Sequence, residues 1–251
     1  LMISIIIPLI GIVIVNRGTS MMGDALSHVS LAGVALGLIL SINPLIGAIF
    51  ACVIGAFSIE KIRKKFPQFG DMATAIITSM GLGLAALLSD FSPGGSSFDA
   101  YLFGSIASVS KADLIIVLIT FILVVAISLI YYFGLLSIAV VPQLAKMSGV
   151  NVRRINSIFT LLSALTIALS AKIIGALMVT SLIVLPVASS LLISKSYKAT
   201  FLNTLVLGVL YTLSGVILSY YFDLKPGGAI VVIASLSMLV CLLISKLKSK
   251  K

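Results

Sequence analysis

Apolar residues run along this chain in long segments that are separated by short polar breaks. A membrane-spanning helix needs about 20 mostly apolar residues, and the pattern predicts a series of such spans. The segments are residues 1–15, 21–41, 45–59, 71–88, 113–133, 157–171, 173–194, 199–222 and 230–245. Residues 100–110 are semi-polar and predict a short helix or a re-entrant piece. The weak alternation of apolar and polar residues that marks a membrane β-barrel is not found.

This pattern predicts an all-α polytopic membrane protein with eight or nine transmembrane helices, organised as a single transmembrane domain over residues 1–251. The first segment begins directly at Leu1, so we expect the natural N-terminus to be truncated. The number of spans, eight or nine, depends on this shortened first segment and on the pair of segments that Lys172 separates. The composition agrees with this class, because 60% of the residues are hydrophobic, 10% are charged and the mean hydropathy is +1.28, which excludes a soluble domain.

The basic residues predict the orientation of the chain. Of the 17 lysines and arginines, all but three lie in short breaks or the tail, at residues 16–20, 60–70, 142–156, 195–198 and 246–251. We place these regions in the cytoplasm, because cytoplasmic loops of membrane proteins are enriched in Lys and Arg. Lys111, Lys172 and Lys225 then lie on the outer side. The net charge of +10 is thus explained by topology and does not indicate nucleic-acid binding.

Segment 21–41 contains the only histidine of the chain, His28, and an aspartate, Asp24. Because these residues are four apart, a helix places their side chains on one face. An ionisable group inside a membrane helix is costly and usually faces a cavity or partner on a substrate path. A carboxylate and an imidazole together form half of a zinc- or manganese-type coordination shell. We therefore predict that Asp24 and His28 bind a metal ion; the alternative is a purely structural histidine.

The opposite face of the same segment consists of small residues. Gly33 and Gly37 form a GxxxG pair, which lets a neighbouring helix approach closely. Gly33 lies about 180° around the helix from Asp24, so one side is suited to packing and the other to holding an ion. The alternative is that these glycines reflect only the general abundance of small residues in membrane helices.

Several stretches resemble, in order, the integral-membrane permeases of bacterial zinc and manganese ATP-binding-cassette importers. They are GDALSHVSLAGVALG at 23–37, AYLFGSIASVS at 100–110, GVNVRRIN at 149–156, KIIGALMVTSLIVLPVASS at 172–190 and DLKPGGAIVV at 223–232. Within that family, SHVSLAG is more similar to the zinc branch, whereas the manganese and iron branch more often reads SHAVLPG. Ala32 stands where that branch tends to have proline, which favours zinc.

The resemblance implies an importer permease of the metal-chelate or cobalamin-like type, located as a multi-pass protein in the bacterial cytoplasmic membrane. It implies a permease homodimer, two cytosolic ATP-binding subunits, and an extracytoplasmic metal-binding lipoprotein or periplasmic protein that delivers the ion. Asp24 and His28 become the intramembrane ligands of Zn²⁺, which is a transported substrate, with Mn²⁺ or iron as the alternative. No cofactor is expected to be bound permanently.

The resemblance also implies that residues 142–156 form a cytoplasmic loop that couples the permease to its ATPase. The coupling residues would be Gly149, Val150, Asn151, Val152, Arg153 and Arg154. From the residues alone, this segment indicates a short cytoplasmic helix that follows a polar turn and presents two arginines. Charge by itself favours an ordinary cytoplasmic loop, and it is the resemblance that favours a coupling element.

Absent motifs narrow the function further. The chain has no GxxxxGK[ST] sequence, so it cannot bind ATP through a P-loop, and it has no HExxH motif or second histidine, which argues against an intramembrane metalloprotease. One Asp and one His do not complete a four-ligand zinc site, although a twofold dimer brings two such pairs into one assembly. A permease subunit, rather than an enzyme, is therefore the prediction. The alternatives are a self-contained secondary transporter or channel and an intramembrane enzyme.

Overall fold

The computed structural model describes residues 2–91, 101–104, 109–140 and 151–248. Within these ranges it contains ten α-helices of nine or more residues, one 3₁₀ turn at Pro67–Phe69 and no strand. The helices are α1 (Met2–Asn16), α2 (Met22–Ile39), α3 (Pro44–Lys65), α4 (Gly70–Ser89), α5 (Lys111–Ile130), α6 (Tyr132–Val140), α7 (Val152–Ile174), α8 (Ala176–Ile193), α9 (Tyr197–Phe222) and α10 (Pro226–Lys248).

Eight of the described helices are long and apolar enough to cross a membrane, and α1 is a shorter apolar helix. The prediction of an all-α polytopic membrane protein is confirmed. Several helix starts follow from capping residues. The Asn43 side chain accepts a hydrogen bond from the Leu45 amide at the start of α3, and Ser110 and Asp113 form a capping box at the start of α5, each satisfying amides that the first turn leaves unpaired.

The predicted break at Lys172 is wrong. Lys172 lies inside α7, and the chain turns at Gly175, whose φ is +105°. Lysine is a good helix former, whereas a backbone with this φ strongly favours glycine because it has no Cβ. The predicted segment 113–133 is likewise divided, because α5 ends at Ile130 and α6 begins at Tyr132.

Some charged residues that were predicted to lie in loops are helical. Helix α3 continues through the basic residues to Lys65, and α7 begins at Val152, so the predicted loop 142–156 ends earlier than expected. Basic side chains in the last turn of α3 lie near the negative end of the helix dipole. Helix α3 therefore extends beyond the apolar run that predicted it.

The centre of the molecule is formed by α1 and α2. Nearly every residue of α1 between Ile3 and Ile14 is buried, and this helix packs against α5, α7, α8 and α9. Helix α2 packs against α3, α4, α7 and α8. The outer helices expose large apolar side chains such as Phe50, Ile122 and Leu202, which is the surface that a lipid environment requires.

The structure brings together the helix ends that the charge pattern places on one side of the membrane. At the end predicted to be cytoplasmic, the Arg17 guanidinium lies over the Phe159 ring and Thr160 donates a hydrogen bond to Glu60. At the opposite end, Lys172 pairs with Asp113 and Lys225 lies over the Phe103 ring. Each contact joins two ends that alternation of the spans assigns to the same side.

This arrangement leads to a labelling prediction. In a background without Cys52 and Cys241, a membrane-impermeant maleimide added to intact cells should label Asp90→Cys at the end of α4 but not Gln68→Cys before its start. Both positions are exposed, so their difference in labelling reports the side of the membrane. Permeabilised cells should label both variants equally, which controls for reactivity. Labelling of Gln68→Cys alone in intact cells would show that the orientation is opposite to the predicted one.

Candidate metal site

Asp24 and His28 lie on the first two turns of α2, near the end predicted to be cytoplasmic. The His28 Nε2 atom is 3.7 Å from the Asp24 Oδ1 atom, a separation beyond hydrogen-bonding distance. The Asp24 side chain is 44% exposed and the His28 side chain 15% exposed. The two side chains therefore lie next to each other without forming a hydrogen bond.

The histidine ring has an unused polar atom. His28 Nδ1 is buried and has no hydrogen-bond partner among the described residues. Buried polar atoms in native proteins almost always have a partner, and exceptions call for an explanation such as a missing ligand. Among the described residues neither ring nitrogen makes a hydrogen bond, so the Nε2 atom that lies toward Asp24 could bind a metal ion without first breaking one.

The remaining faces of α2 are closely packed against neighbouring helices. This packing fixes the direction in which the Asp24 and His28 side chains leave α2. On the α3 side, a Cβ placed on Gly33 would collide with the Gly47 carbonyl oxygen, and one placed on Gly37 would lie 2.8 Å from the Pro44 Cα atom. On the α4 side, a Cβ on Gly81 would lie 2.8 Å from the Val29 amide nitrogen. These glycines let the backbones approach, so α2 is held on the faces away from Asp24.

Helix α8 packs against α2 at Gly23, the residue before Asp24, where it places a threonine that sequence reasoning did not single out. A Cβ on Gly23 would lie 3.4 Å from Thr180 Oγ1. That hydroxyl is buried, with no hydrogen-bond partner in the described part of the chain. Thr180 thus offers a further oxygen next to the residue that precedes Asp24. The only sequence signal was a hydroxyl residue inside the apolar stretch 172–190.

The pair is incomplete within one chain. Over residues 2–91, 101–104, 109–140 and 151–248, no group of three or more His, Cys, Asp or Glu side chains is placed to hold a metal ion. A closed structural zinc site has four ligands, and sites that exchange their ligand keep open positions. The arrangement is therefore suited to transient binding.

The predicted coupling residues fall at the start of α7. Gly149 and Val150 lie outside the described residues. Asn151 caps the helix by accepting a hydrogen bond from the Arg154 amide, and Arg153 and Arg154 are exposed. Instead of a separate short helix, residues 152–156 form the first turn of α7, which continues without interruption to Ile174.

A buried ion pair at the outer end was also missed. Lys172 Nζ is 2.6 Å from Asp113 Oδ2, and the side chains are only 11% and 2% exposed. The same carboxylate oxygen accepts hydrogen bonds from the amide and hydroxyl of Ser110. The two charges are 59 residues apart, so the sequence signalled only that each lay at an outer helix end. The pair connects α5 to α7 beside the turn at Gly175.

Comparisons with known proteins agree with this architecture. The family model described as "ABC 3 transport family" matches residues 1–245. A "Probable metal transport system membrane protein" of Treponema pallidum is 34% identical over 243 residues, covering 96% of this chain and 91% of that protein. The high-affinity zinc uptake system membrane protein ZnuB of Haemophilus influenzae is 31% identical, covering 92% and 89%. The manganese transport system membrane protein MntC of Listeria innocua is 28% identical, covering 96% and 86%.

Two solved structures are similar to this chain. PsaBC from Streptococcus pneumoniae, solved in complex with a Fab, matches with a TM-score of 0.85 and 27% identity, covering 96% of this chain and 87% of that chain. An inward-facing metal-chelate type ABC transporter matches with a TM-score of 0.67 and 16% identity, covering 96% and 84%. The second likeness concerns the fold alone, and both agree with the all-helical architecture described above.

Proposed function

Because this chain belongs to the ABC 3 transport family and is a metal-transporting ABC permease, we propose that it carries divalent zinc across the cytoplasmic membrane. The observation that carries the proposal is the Asp24–His28 pair, whose side chains lie 3.7 Å apart on one face of a helix long and apolar enough to cross a membrane, with the His28 Nδ1 atom unpartnered among the described residues. Zinc is the substrate of this site and is not a resident cofactor. Membership of this family argues against the two alternatives, a self-contained secondary transporter and an intramembrane enzyme.

The ligand types favour a transition metal. Asp24 supplies a hard oxygen and His28 a borderline nitrogen, a combination suited to zinc and manganese, whereas calcium and magnesium prefer oxygen ligands alone. Two ligands from one chain hold the ion weakly enough to release it. A twofold permease homodimer supplies a second pair in the same assembly. Zinc is preferred to manganese because SHVSLAG resembles the zinc branch, with Ala32 where the other branch tends to have proline.

Manganese is the second candidate, because relatives at 28–30% identity are named as manganese transporters. Competition separates the two metals. In a strain whose own permease is deleted, cells that express this chain with its cognate partners should accumulate radioactive zinc. Excess unlabelled zinc should abolish that uptake, whereas an equal excess of manganese should reduce it only slightly. Equal or stronger competition by manganese would assign manganese as the substrate.

We also propose that the start of α7 docks on one of two cytosolic ATP-binding subunits, and that an extracytoplasmic binding protein delivers the ion. The absence of a P-loop in the sequence requires ATP hydrolysis by another subunit. Arg153 and Arg154 are exposed at the end predicted to be cytoplasmic. They lie on the first turn of α7. A movement of the ATP-binding subunit at these residues would therefore be transmitted along one continuous helix toward the outer end.

Charge reversal tests this docking. Replacing Arg153 and Arg154 with glutamate should reduce zinc uptake by about tenfold or more, since both charge-assisted contacts are lost, and should weaken co-purification of the ATPase. The matched control is Lys195→Glu with Lys198→Glu, which makes the same charge change at another exposed cytoplasmic turn and should leave uptake near wild type. Normal assembly and uptake in the arginine variant would exclude this segment from coupling.

A further inference from the structure

A cavity of about 260 Å³ opens at the end of the bundle that the charge pattern assigns to the cytoplasm. Its walls come from the α1–α2 turn, the last turns of α3 and the start of α7. The charged and polar residues around it are Arg17, Glu60, Arg63, Lys64, Asn156 and Thr160, with Met22, Ile59 and Phe159 as the apolar part of the wall. The cavity is separate from the Asp24–His28 pair, which does not line it.

The single acid of the cavity is already engaged. Glu60 Oε1 lies 2.6 Å from Lys64 Nζ, and Glu60 Oε2 accepts a hydrogen bond from Thr160 at 3.0 Å. The Arg17 Cζ atom lies over the Phe159 ring, 5.6 Å from its centroid. In the described part of the chain, neither the Arg17 nor the Arg63 guanidinium donates a hydrogen bond or forms an ion pair. Two positive charges with unused donors therefore share this space.

Their surroundings make this arrangement unfavourable without a further partner. Burial lowers the pKa of Arg17, repulsion from Arg63 lowers it further, and Glu60 opposes this effect. The Asn156 Oδ1 atom is also buried and unpartnered among the described residues, and its amide group offers N–H donors as well. An ordinary topology-determining residue such as the exposed Lys61 extends into water, whereas Arg17 and Arg63 are partly buried in the wall of the cavity.

We propose that this cavity binds a phosphate oxyanion, and that its source is the headgroup of an anionic phospholipid of the cytoplasmic leaflet. The planar guanidinium presents paired N–H donors that match phosphate oxygens. Basic cavities between transmembrane helices on the cytoplasmic side are a recognised setting for anionic lipid headgroups. The apolar wall formed by Met22, Ile59 and Phe159 suits the carbon atoms next to the phosphate. A divalent cation is excluded by the excess positive charge.

Occupation of the cavity has a mechanical consequence. The phosphate would contact Arg17 after α1, Arg63 on α3 and Asn156 on α7, so it would hold three helix ends together. Asn156 lies within the stretch 149–156 proposed to face the ATPase. A bound headgroup therefore braces the helix that transmits ATPase movement, and the permease is expected to be more stable in anionic lipid. This inference does not depend on which metal is transported.

The test is lipid binding to the full permease, purified in mild detergent and measured by native mass spectrometry and thermal unfolding. Phosphatidylglycerol should bind about tenfold or more tightly than phosphatidylcholine and should raise Tm, since its headgroup is a net anion, whereas Arg17 and Arg63 repel the choline ammonium next to the phosphate of phosphatidylcholine. Arg17→Gln and Arg63→Gln should each weaken this binding by about tenfold. Lys61→Gln, which removes an exposed charge from the same helix end without touching the cavity, should leave it unchanged.

Further measurements identify the source of the phosphate and distinguish a loss of binding from a loss of folding. If millimolar inorganic phosphate raises Tm as much as phosphatidylglycerol, and Arg63→Gln removes both effects, the phosphate site is supported with a free anion as its source. Arg17→Lys keeps the charge and should retain part of the binding if Arg17→Gln fails to fold. Equal phosphatidylglycerol binding by wild type and both glutamine variants would overturn the proposal. So would a loss of ATPase co-purification without any loss of lipid binding, because it would indicate a protein partner.

Discussion

Replacing His28 with alanine will abolish zinc uptake without unfolding the permease. The substitution removes the nitrogen ligand, and uptake is expected to fall by about 100-fold or more, beyond the 10–100-fold typical of residues that only support a metal ligand. Folding should be little affected, because His28 makes no hydrogen bond to the described residues and its Nε2 atom lies 3.7 Å from Asp24 Oδ1, beyond hydrogen-bonding distance. The measurement is radioactive zinc uptake by cells with matched permease levels in the membrane.

Asp24→Asn extends the same test. Asparagine keeps the size and one oxygen of the side chain but removes the charge that offsets the cost of taking a divalent ion out of water, so uptake should collapse here too. Ser30→Ala is the matched control: Ser30 is on the same helix, and among the described residues its hydroxyl donates a hydrogen bond to the Ser27 carbonyl and makes no other. It should transport at the wild-type rate. Normal uptake by both His28→Ala and Asp24→Asn would mean that the pair is structural.

Replacing Lys172 with methionine will strongly destabilise the permease. The change leaves the Asp113 carboxylate buried, with Oδ1 already unpartnered among the described residues and Oδ2 supported only by Ser110. Breaking a buried ion pair by removing one partner costs about 3–5 kcal/mol. The expected result is a lower Tm of the purified protein and a lower yield of folded protein in the membrane.

Two variants separate the loss of the pair from the loss of a lysine. Lys111→Met removes an exposed lysine at the same end of the bundle and should change stability by no more than about 0.5 kcal/mol. Adding Asp113→Asn to Lys172→Met removes the unpaired charge while keeping an acceptor for Ser110, so the double variant should be more stable than Lys172→Met alone. If Lys172→Met unfolds at the wild-type temperature, the pair has no structural role.

Local features of the sequence were sufficient for the class of the protein and for the placing of Asp24 and His28 on one helix face. Continuous apolar segments admit few structures other than membrane helices, because backbone groups in lipid must be satisfied within the segment. The four-residue spacing of Asp24 and His28 placed both on one face, as helix geometry requires. Boundaries were less reliable, since Lys172 and the basic end of α3 are compatible with helix although they are polar.

Only the tertiary structure decided which residues far apart in the chain contact each other. The close approach of Gly33 to Gly47, the pairing of Lys172 with Asp113 and the meeting of Arg17 with Phe159 all depend on how whole helices lie against each other. Such positions result from the packing of many side chains at once, and no local pattern specifies them. The sequence therefore determined which chemical groups exist and which helix faces they occupy. The packing of helices determined that Asp24 and His28 stay free, whereas Lys172 and Asp113 neutralise each other.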